Sequence, residues 1–386
     1  MAQTPAQSAP DPKTTDPDEL VLQASSQRGL PAAELLYQAA LGFRQRGATV
    51  SAVHSLERGL QELAELIESP PAARLGAALE FELGRACEEE LGRFEEALVH
   101  YQRAFKLRPQ TPWVVHSLFD MQAQTGHWRE AQATLESGIR RKVVTQEKGR
   151  TLKALLEVER SREAEREGRT NDALTLAREA FGLAPERIAA TQRLAELQIK
   201  AGEKKKAMRT IERGWAVAPH PDLVPLYLEA SEESEALKRI GVVRKLADQN
   251  PDDIESHIAL AQASLDAGLW GEARRQLEIA AGTNPPVRVC RLMAEVEERA
   301  QSDPAKVHDW LAKVADAPAD RSWRCTACGA HHEAWRPVCE SCGAFGTLQW
   351  RAPGTYGHIL PPEVQPAPAL SAPTPASPGP PSSTGA

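Results

Sequence analysis

A chain of 386 residues is long enough for an elongated array or for more than one domain, and a formal net charge of −7 argues against a protein whose main task is holding nucleic acid. Apolar residues make up 41% and charged ones 26%, the balance of a soluble protein with a large buried core. Aromatics are only 5%, while Ala, Leu, Glu and Arg are abundant, so an all-α class is favoured over a sheet protein.

Residues 1–19 are rich in Pro, Ser, Thr and Asp and are expected to form a disordered tail. They carry neither the basic start nor the apolar core of a signal peptide. No run of about 18 apolar residues occurs anywhere, so a spanning helix is not expected. From Leu20 the pattern turns helical. Leu35, Leu36, Ala39, Ala40 and Phe43 form one apolar stripe, and Val53, Leu56, Leu60, Leu63 and Ile67 a second, as two amphipathic helices require. Cys87 and Cys290 stand alone in helical contexts and are expected to be small buried apolar residues. So few cysteines do not make a disulfide framework, which places the chain in a reducing compartment.

A period then emerges. Gly92, Phe94, Ala97, Tyr101, Ala104 and Pro109 are followed 34 residues later by Gly126, Trp128, Ala131, Leu135 and Gly138. The frame returns at Gly168, Ala173, Ala177, Ala180 and Pro185, then at Gly202, Ala207, Ile211, Gly214 and Pro219. A further copy is Gly268, Trp270, Ala273, Leu277, Ala280 and Pro285, and a degenerate unit ending at Pro251 fills the gap before it. These residues resemble the tetratricopeptide repeat, a 34-residue helix–turn–helix unit. Glycine suits the turn because it enters the left-handed region cheaply. Alanine lets the paired helices approach, and proline stops the second helix. Five good units and one or two divergent ones before Phe81 are expected. Helices around 287–300 and 304–314 would cap the array, giving a solenoid over residues 20–318.

The linker Asp316-Ala-Pro-Ala-Asp320 leads to the most specific chemical signal, Cys325-x-x-Cys328-Gly329 and Cys339-x-x-Cys342-Gly343. Two residues between paired cysteines let one turn aim both sulfurs at one ion, and two such turns complete a tetrahedral shell for zinc. The same cage also suits iron. Residues 319–352 are therefore expected to form a small β zinc-ribbon lobe, rubredoxin-like, with Cys325, Cys328, Cys339 and Cys342 as metal ligands. The ten residues between the pairs suffice for a hairpin. So small a lobe depends on its metal for folding. Trp323, Trp335, Trp350, Phe345 and Leu348 make it unusually aromatic, so it should pack against something, most simply the last solenoid helices. His331 and His332 are expected to face solvent, since four thiolates fill the shell. Residues 353–386 form a second Pro-rich tail.

Other chemistry is thin. A redox Cys-x-x-Cys would need a thioredoxin-like βαβ pattern, and attached haem would need histidine where Gly329 and Gly343 stand. Nucleic-acid binding by the ribbon is disfavoured because Asp320, Glu333 and Glu340 offset Arg321, Arg324, Arg336 and Arg351. Glu88, Glu89 and Glu90 are expected to face water, and the Glu203–Arg209 charge run to be a solvated helix start. No phosphate-cradling loop, HExxH or nucleophile elbow occurs, so no catalytic residues and no cofactor-binding residues beyond the metal ligands are assigned.

Over about Gly92 to Trp350 the chain resembles the HemY-type proteins of alphaproteobacteria. The resemblance rests on Thr111-Pro-Trp-Val, Gly126-His-Trp-Arg-Glu-Ala, Glu212-Arg-Gly-Trp-Ala-Val-Ala-Pro-His-Pro-Asp-Leu223 and the ending from Trp323 to Trp350. More distantly it is similar to the LapB assembly proteins, which join such repeats to a rubredoxin-like lobe and act as adaptors. The HemY resemblance implies an inner-membrane-associated bacterial protein linked to haem biosynthesis. Both families begin with membrane-spanning sequence, whereas this chain begins with a polar tail: either it is a soluble member, cytoplasmic or peripheral to the inner membrane, or its start is truncated or misplaced upstream of Leu20. The expected function is a non-enzymatic scaffold that holds a protein or peptide partner on the solenoid's concave face, lined by the first helix of each repeat, with the metal lobe docked at its C-terminal end. The alternative is a protein that handles porphyrin or supports a haem-pathway enzyme.

Overall fold

The computed structural model describes residues 16–301 and 304–353. Of the expected tails at 1–19 and 353–386, residues 1–15 and 354–386 lie outside the described residues. The expected start at Leu20 moves to Pro17, where α1 (Pro17–Ser25) begins. Asp16 caps it by accepting the Asp18 amide, and proline in the first turn gives up a hydrogen bond that no helix makes there. Pro17 packs against Gly42, which ties this helix to the solenoid.

Eight antiparallel helix pairs follow. They are α2 (Gly29–Gln45) with α3 (Thr49–Leu63), α4 (Pro70–Arg85) with α5 (Phe94–Leu107), α6 (Pro112–Gln124) with α7 (Trp128–Arg140), and α8 (Gln146–Arg166) with α9 (Thr170–Leu183). Beyond them lie α10 (Ile188–Lys200) with α11 (Lys204–Val217), α12 (Leu223–Ser231) with α13 (Ala236–Ala247), α14 (Ile254–Asp266) with α15 (Trp270–Ala281), and α16 (Val287–Arg299) with α17 (Pro304–Lys313). The architecture is a tetratricopeptide-repeat solenoid. The period has direct structural meaning. Gly92, Gly126, Gly168, Gly202 and Gly268 occupy the turns with φ between 64° and 77°. Ala97, Ala131, Ala173, Ala207 and Ala273 are wholly buried where the paired helices meet. The degenerate pair α12–α13 has no glycine at its turn. Glu232 takes the left-handed conformation there with φ 58°, and α12 is one of the shortest helices in the array.

Cys87 and Cys290 are buried as expected. Of the carboxylates expected to face water, Glu89 and Glu90 are exposed and Glu88 is partly buried, and all three also bind protein groups. A π-helical turn, Ala86–Glu90, extends α4 and swings them back onto protein. Glu88 accepts the Tyr101 hydroxyl at 2.6 Å, while Glu89 and Glu90 take the Arg44 guanidinium from the neighbouring pair at 2.8 and 2.7 Å. Glu82 is also paired with Arg44 and is almost completely buried.

After α17 the chain runs back along the solenoid and forms a three-stranded antiparallel sheet: β1 (Ser322–Cys325), β2 (His331–His332) and β3 (Leu348–Arg351) in the order β2-β1-β3. The ten residues between the cysteine pairs, expected to form a hairpin, hold only β2; it pairs with β1 across the first cysteine turn, Trp323 opposite His332, and β3 adds a third strand in which Trp350 faces Trp323.

Packing within a pair is tight enough to test. A Cβ on Gly84 of α4 would lie 2.6 Å from the Tyr101 ring of α5, whereas one on Gly182 of α9 would meet nothing within 4 Å. Gly84→Ala should lose about 1–3 kcal/mol to overpacking, against about 1 kcal/mol gained in helix propensity. Gly182→Ala should keep the gain alone. Thermal melts should therefore move down for the first and up for the second, and equal shifts would refute this packing.

Candidate metal centre

The two cysteine turns are built alike. In the first, the Gly329 amide donates to the Cys325 carbonyl at 2.9 Å and the Cys325 amide to Ala330 at 2.9 Å. In the second, Gly343 donates to Cys339 at 2.8 Å and Cys339 to Ala344 at 3.0 Å. Gly329 and Gly343 close these turns at φ 78° and 71°, which a Cβ would oppose.

The turns face each other, and all four Sγ atoms lie within 4.8 Å of one another. Cys325 and Cys342 are 3.7 Å apart, as are Cys328 and Cys339. A metal–sulfur bond of about 2.3 Å sets tetrahedral sulfurs about 3.8 Å apart, so these two edges of the cage already have the length such a site needs. Burial opposes ionisation of Cys325, yet the Thr347 hydroxyl at 3.1 Å and neighbouring amides outweigh it and bring its thiol down to about 7. Burial, together with the neighbouring sulfurs, pushes Cys328 and Cys342 up. Four sulfurs so close cannot all ionise without a cation among them. Cys325 and Cys339 are buried, Cys328 and Cys342 exposed, so the cage sits at the lobe's edge.

His332 corrects the expectation for the histidine pair. Alternation along β2 leaves His331 exposed and turns His332 inward, with Nε2 3.3 Å from the Cys339 sulfur. It lies against the sulfur cage and outside its set of four ligands. The period of two in a strand was a readable signal for this.

The docking face is a second correction. The last helices are met by the linker and the residue after it: Val287 donates to the Pro318 carbonyl at 3.2 Å, the Arg288 amide to Asp320 at 2.9 Å, and Arg321 pairs with Asp253, before α14, at 3.4 Å. The lobe itself lies on the first helices of the middle repeats. Phe345 enters between Phe119 of α6 and Trp128, with ring centroids 5.6 and 6.1 Å away, above Leu152 and Leu155 of α8. Trp323 and Trp350 close around His220, which is almost completely buried between α11 and α12. Arg162 of α8 lies over Trp335 at 5.4 Å, and Ile188 of α10 packs beside Trp323 and Leu348. Gly343 rests directly on the Gln124 side chain, leaving no room for a Cβ. The reason is where the apolar surface stands: Phe119, Leu152 and Leu155 are on α6 and α8, whereas α17 buries no residue fully. Burying a residue such as Phe345 contributes about 2–3 kcal/mol.

Two titratable groups beneath the lobe were not singled out from sequence. Burial holds His220 down to about 4, aided by Arg288; its Nδ1 accepts the Asp222 amide at 3.2 Å, so the ring is neutral. Burial pushes the Asp120 carboxyl up to about 7, although it accepts the Phe345 amide at 3.4 Å. An aspartate inside the apolar run Leu118-Phe119-Asp120-Met121 was the available signal.

A tetratricopeptide-repeat family model matches residues 164–228. The chain is 30% identical over 195 residues to the "Probable magnetosome protein Mms48" of Magnetospirillum gryphiswaldense, a match covering 49% of this chain and 42% of that protein. It therefore spans less than half the length of that relative. Among solved structures, a tetratricopeptide repeat protein from Parabacteroides merdae is similar at 14% identity, covering 73% of this chain and 98% of that one, with a TM-score of 0.32. MamA of Desulfovibrio magneticus matches at 17% identity over 52% and 97% of the two chains, with a TM-score of 0.29.

The pH signs of the two buried groups oppose. Asp120 binds its proton more tightly when covered, so its contribution is fully present below about 4 and is lost as pH rises towards about 7. His220 resists protonation when covered, so its contribution is present above about 6.5 and is lost as pH falls towards about 4. Asp120→Asn keeps an acceptor for Phe345 and removes the first dependence. Hydrogen exchange of α6 and α8 should show the variant better protected than the parent at pH 8 and equal to it near pH 4. A constant difference across that range would refute the assignment.

Proposed function

We propose that this tetratricopeptide-repeat solenoid is a non-enzymatic scaffold for a protein partner, and that its C-terminal lobe is a structural zinc module built into the partner-binding face. The observation that carries the reading is the position of the lobe. A metal-sized sulfur cage is set directly into the first-helix face on which such solenoids present concave surface to other chains. The four ligands in this reading are Cys325, Cys328, Cys339 and Cys342, all thiols in a cage whose edge suits a tetrahedral ion. Zinc fits a structural role because it needs no redox partner and favours a closed four-sulfur shell. His332 beside Cys339 would orient and shield that sulfur. The link to haem biosynthesis rests on the family resemblance alone and draws no support from the site.

Two experiments test this. Elemental analysis of the purified chain should find about one zinc per chain, and Cys325→Ser/Cys342→Ser should hold none. The variant should also lose protection over α6 and α8, because the metal supplies much of the lobe's folding energy. A metal-free chain with an intact lobe would overturn the zinc assignment. Affinity purification from the protein's own cells should recover a defined set of proteins with the full chain and a reduced set with a chain ending at Asp316. Recovery of nothing beyond the bare matrix would overturn the scaffold reading.

A further inference from the structure

Docking of the lobe leaves a large space beside Phe345. A cavity of about 1460 Å³ lies between the lobe and the first halves of α6 and α8, reaching the start of α10. One wall belongs to the lobe: Thr326 and Ala327 of the first cysteine turn, and the Ala344–Thr347 stretch after the second. The floor is apolar: half-buried Trp113 borders the space, and the buried Phe119 and Leu152 lie beside it under Phe345.

The charge around it is the reverse of the chain's own. In a protein of net charge −7, the cavity is lined by Arg108, Arg141, Lys148 and Arg187 against two carboxylates, Asp120 and Glu147. Burial under Phe345 pushes the Asp120 carboxyl up, towards its neutral form. The Arg108 Nε is buried with no hydrogen-bond partner among the described residues. The like charges feel one another. Burial, then the Lys148 ammonium, holds His116 below its ordinary range; burial, opposed by Glu186 and aided by Arg351, does the same to Arg187. A cationic rim around an apolar floor, larger than one side chain can fill, matches an extended segment that carries several carboxylates and a large apolar residue.

We infer that this cavity between lobe and solenoid is the recognition site for an acidic, extended segment of a partner protein, with carboxylates at Arg108, Arg141, Lys148 and Arg187 and an apolar side chain over Trp113. The inference rests on the scaffold reading and narrows it to one surface and one chemistry. It also gives the metal lobe a direct part in binding, because Thr326, Ala327 and Thr347 form the far wall. Removing the lobe opens the site on that side.

Fluorescence anisotropy tests it with three labelled dodecapeptides: one of alternating Glu and Ser with a central Phe-Leu, its Gln counterpart and its Lys counterpart. The full-length, metal-loaded chain should bind the Glu peptide in preference to the other two, and more weakly as salt is raised. Lys148→Glu/Arg187→Glu should weaken binding about tenfold or more, while Lys204→Glu/Lys205→Glu on α11, away from the cavity, should leave it unchanged. Circular dichroism checks that each variant folds, and Arg141→Glu on the exposed rim replaces the double variant if that one does not. Equal binding of the Gln peptide, no binding of any peptide, or equal loss in the α11 control overturns the inference. Binding that appears only after removal of residues 354–386 assigns the cavity to the chain's own tail and overturns it as well. A chain that recovers partners from its cells yet ignores the Glu peptide keeps the scaffold role and loses this site. A chain that binds the Glu peptide through Lys148 and Arg187 yet recovers no partner does the reverse.

Discussion

The constraint on which the rest depends is the short covalent link between the sulfur cage and the residue that docks it. Phe345 follows Cys342 by three residues, and Trp323 precedes Cys325 by two. Whatever holds four sulfurs together therefore also sets the two aromatic anchors at a fixed spacing, one against Phe119 and Trp128, the other against His220. A lobe of about thirty residues has too little apolar surface to fix that spacing alone. The solenoid supplies a rigid receiver because its helices are locked in pairs by buried alanines and by turns that place each first helix in register. Cage, anchors and receiver form one mechanical unit.

The repeat was legible because its cause is local. A turn that needs positive φ selects glycine, a close helix crossing selects alanine, and a helix end tolerates proline, each within one unit of 34 residues. Where another residue meets the same need the sequence falls silent, as at Glu232 in the α12–α13 turn. The cysteine turns were legible for the same reason: their spacing and glycines are local geometry. The lobe's place on the solenoid was not, because it depends on surfaces far apart in the chain. The aromatic richness of residues 323–350 said that the lobe packs, and nothing in that stretch named Phe119, Leu152 or His220 as its floor. The expectation for His332 followed from four thiolates filling the shell and ignored that pairing with β1 turns alternate side chains inward.

Electrostatics divides the molecule in a way that its net charge hides. Elsewhere acidic and basic side chains are largely matched, as where Arg44 gathers Glu82, Glu89 and Glu90 or Arg274 meets Glu297. Around the cavity by the lobe the cations outnumber the carboxylates, and one of those carboxylates is pushed towards neutrality by its burial. Placing the neutral His220 under two tryptophans keeps a further charge out of the interface. Burying a charge there would cost far more than burying the ring uncharged.

The amide of Phe345 and the carboxylate of Asp120 are separated by 225 positions in the chain. Every other large interface in this fold joins helices that are neighbours in sequence, so the array can grow from the ribosome one pair at a time. The lobe alone must wait. It emerges after the helices it docks on and then closes a loop that encloses the middle and end of the solenoid, at an entropic cost that rises only logarithmically with length. Until that moment the face of α6 and α8 stands open during synthesis, with Phe119 and Leu152 uncovered. In the newly made chain, docking of the lobe is thus also the step that retires a temporary sticky surface.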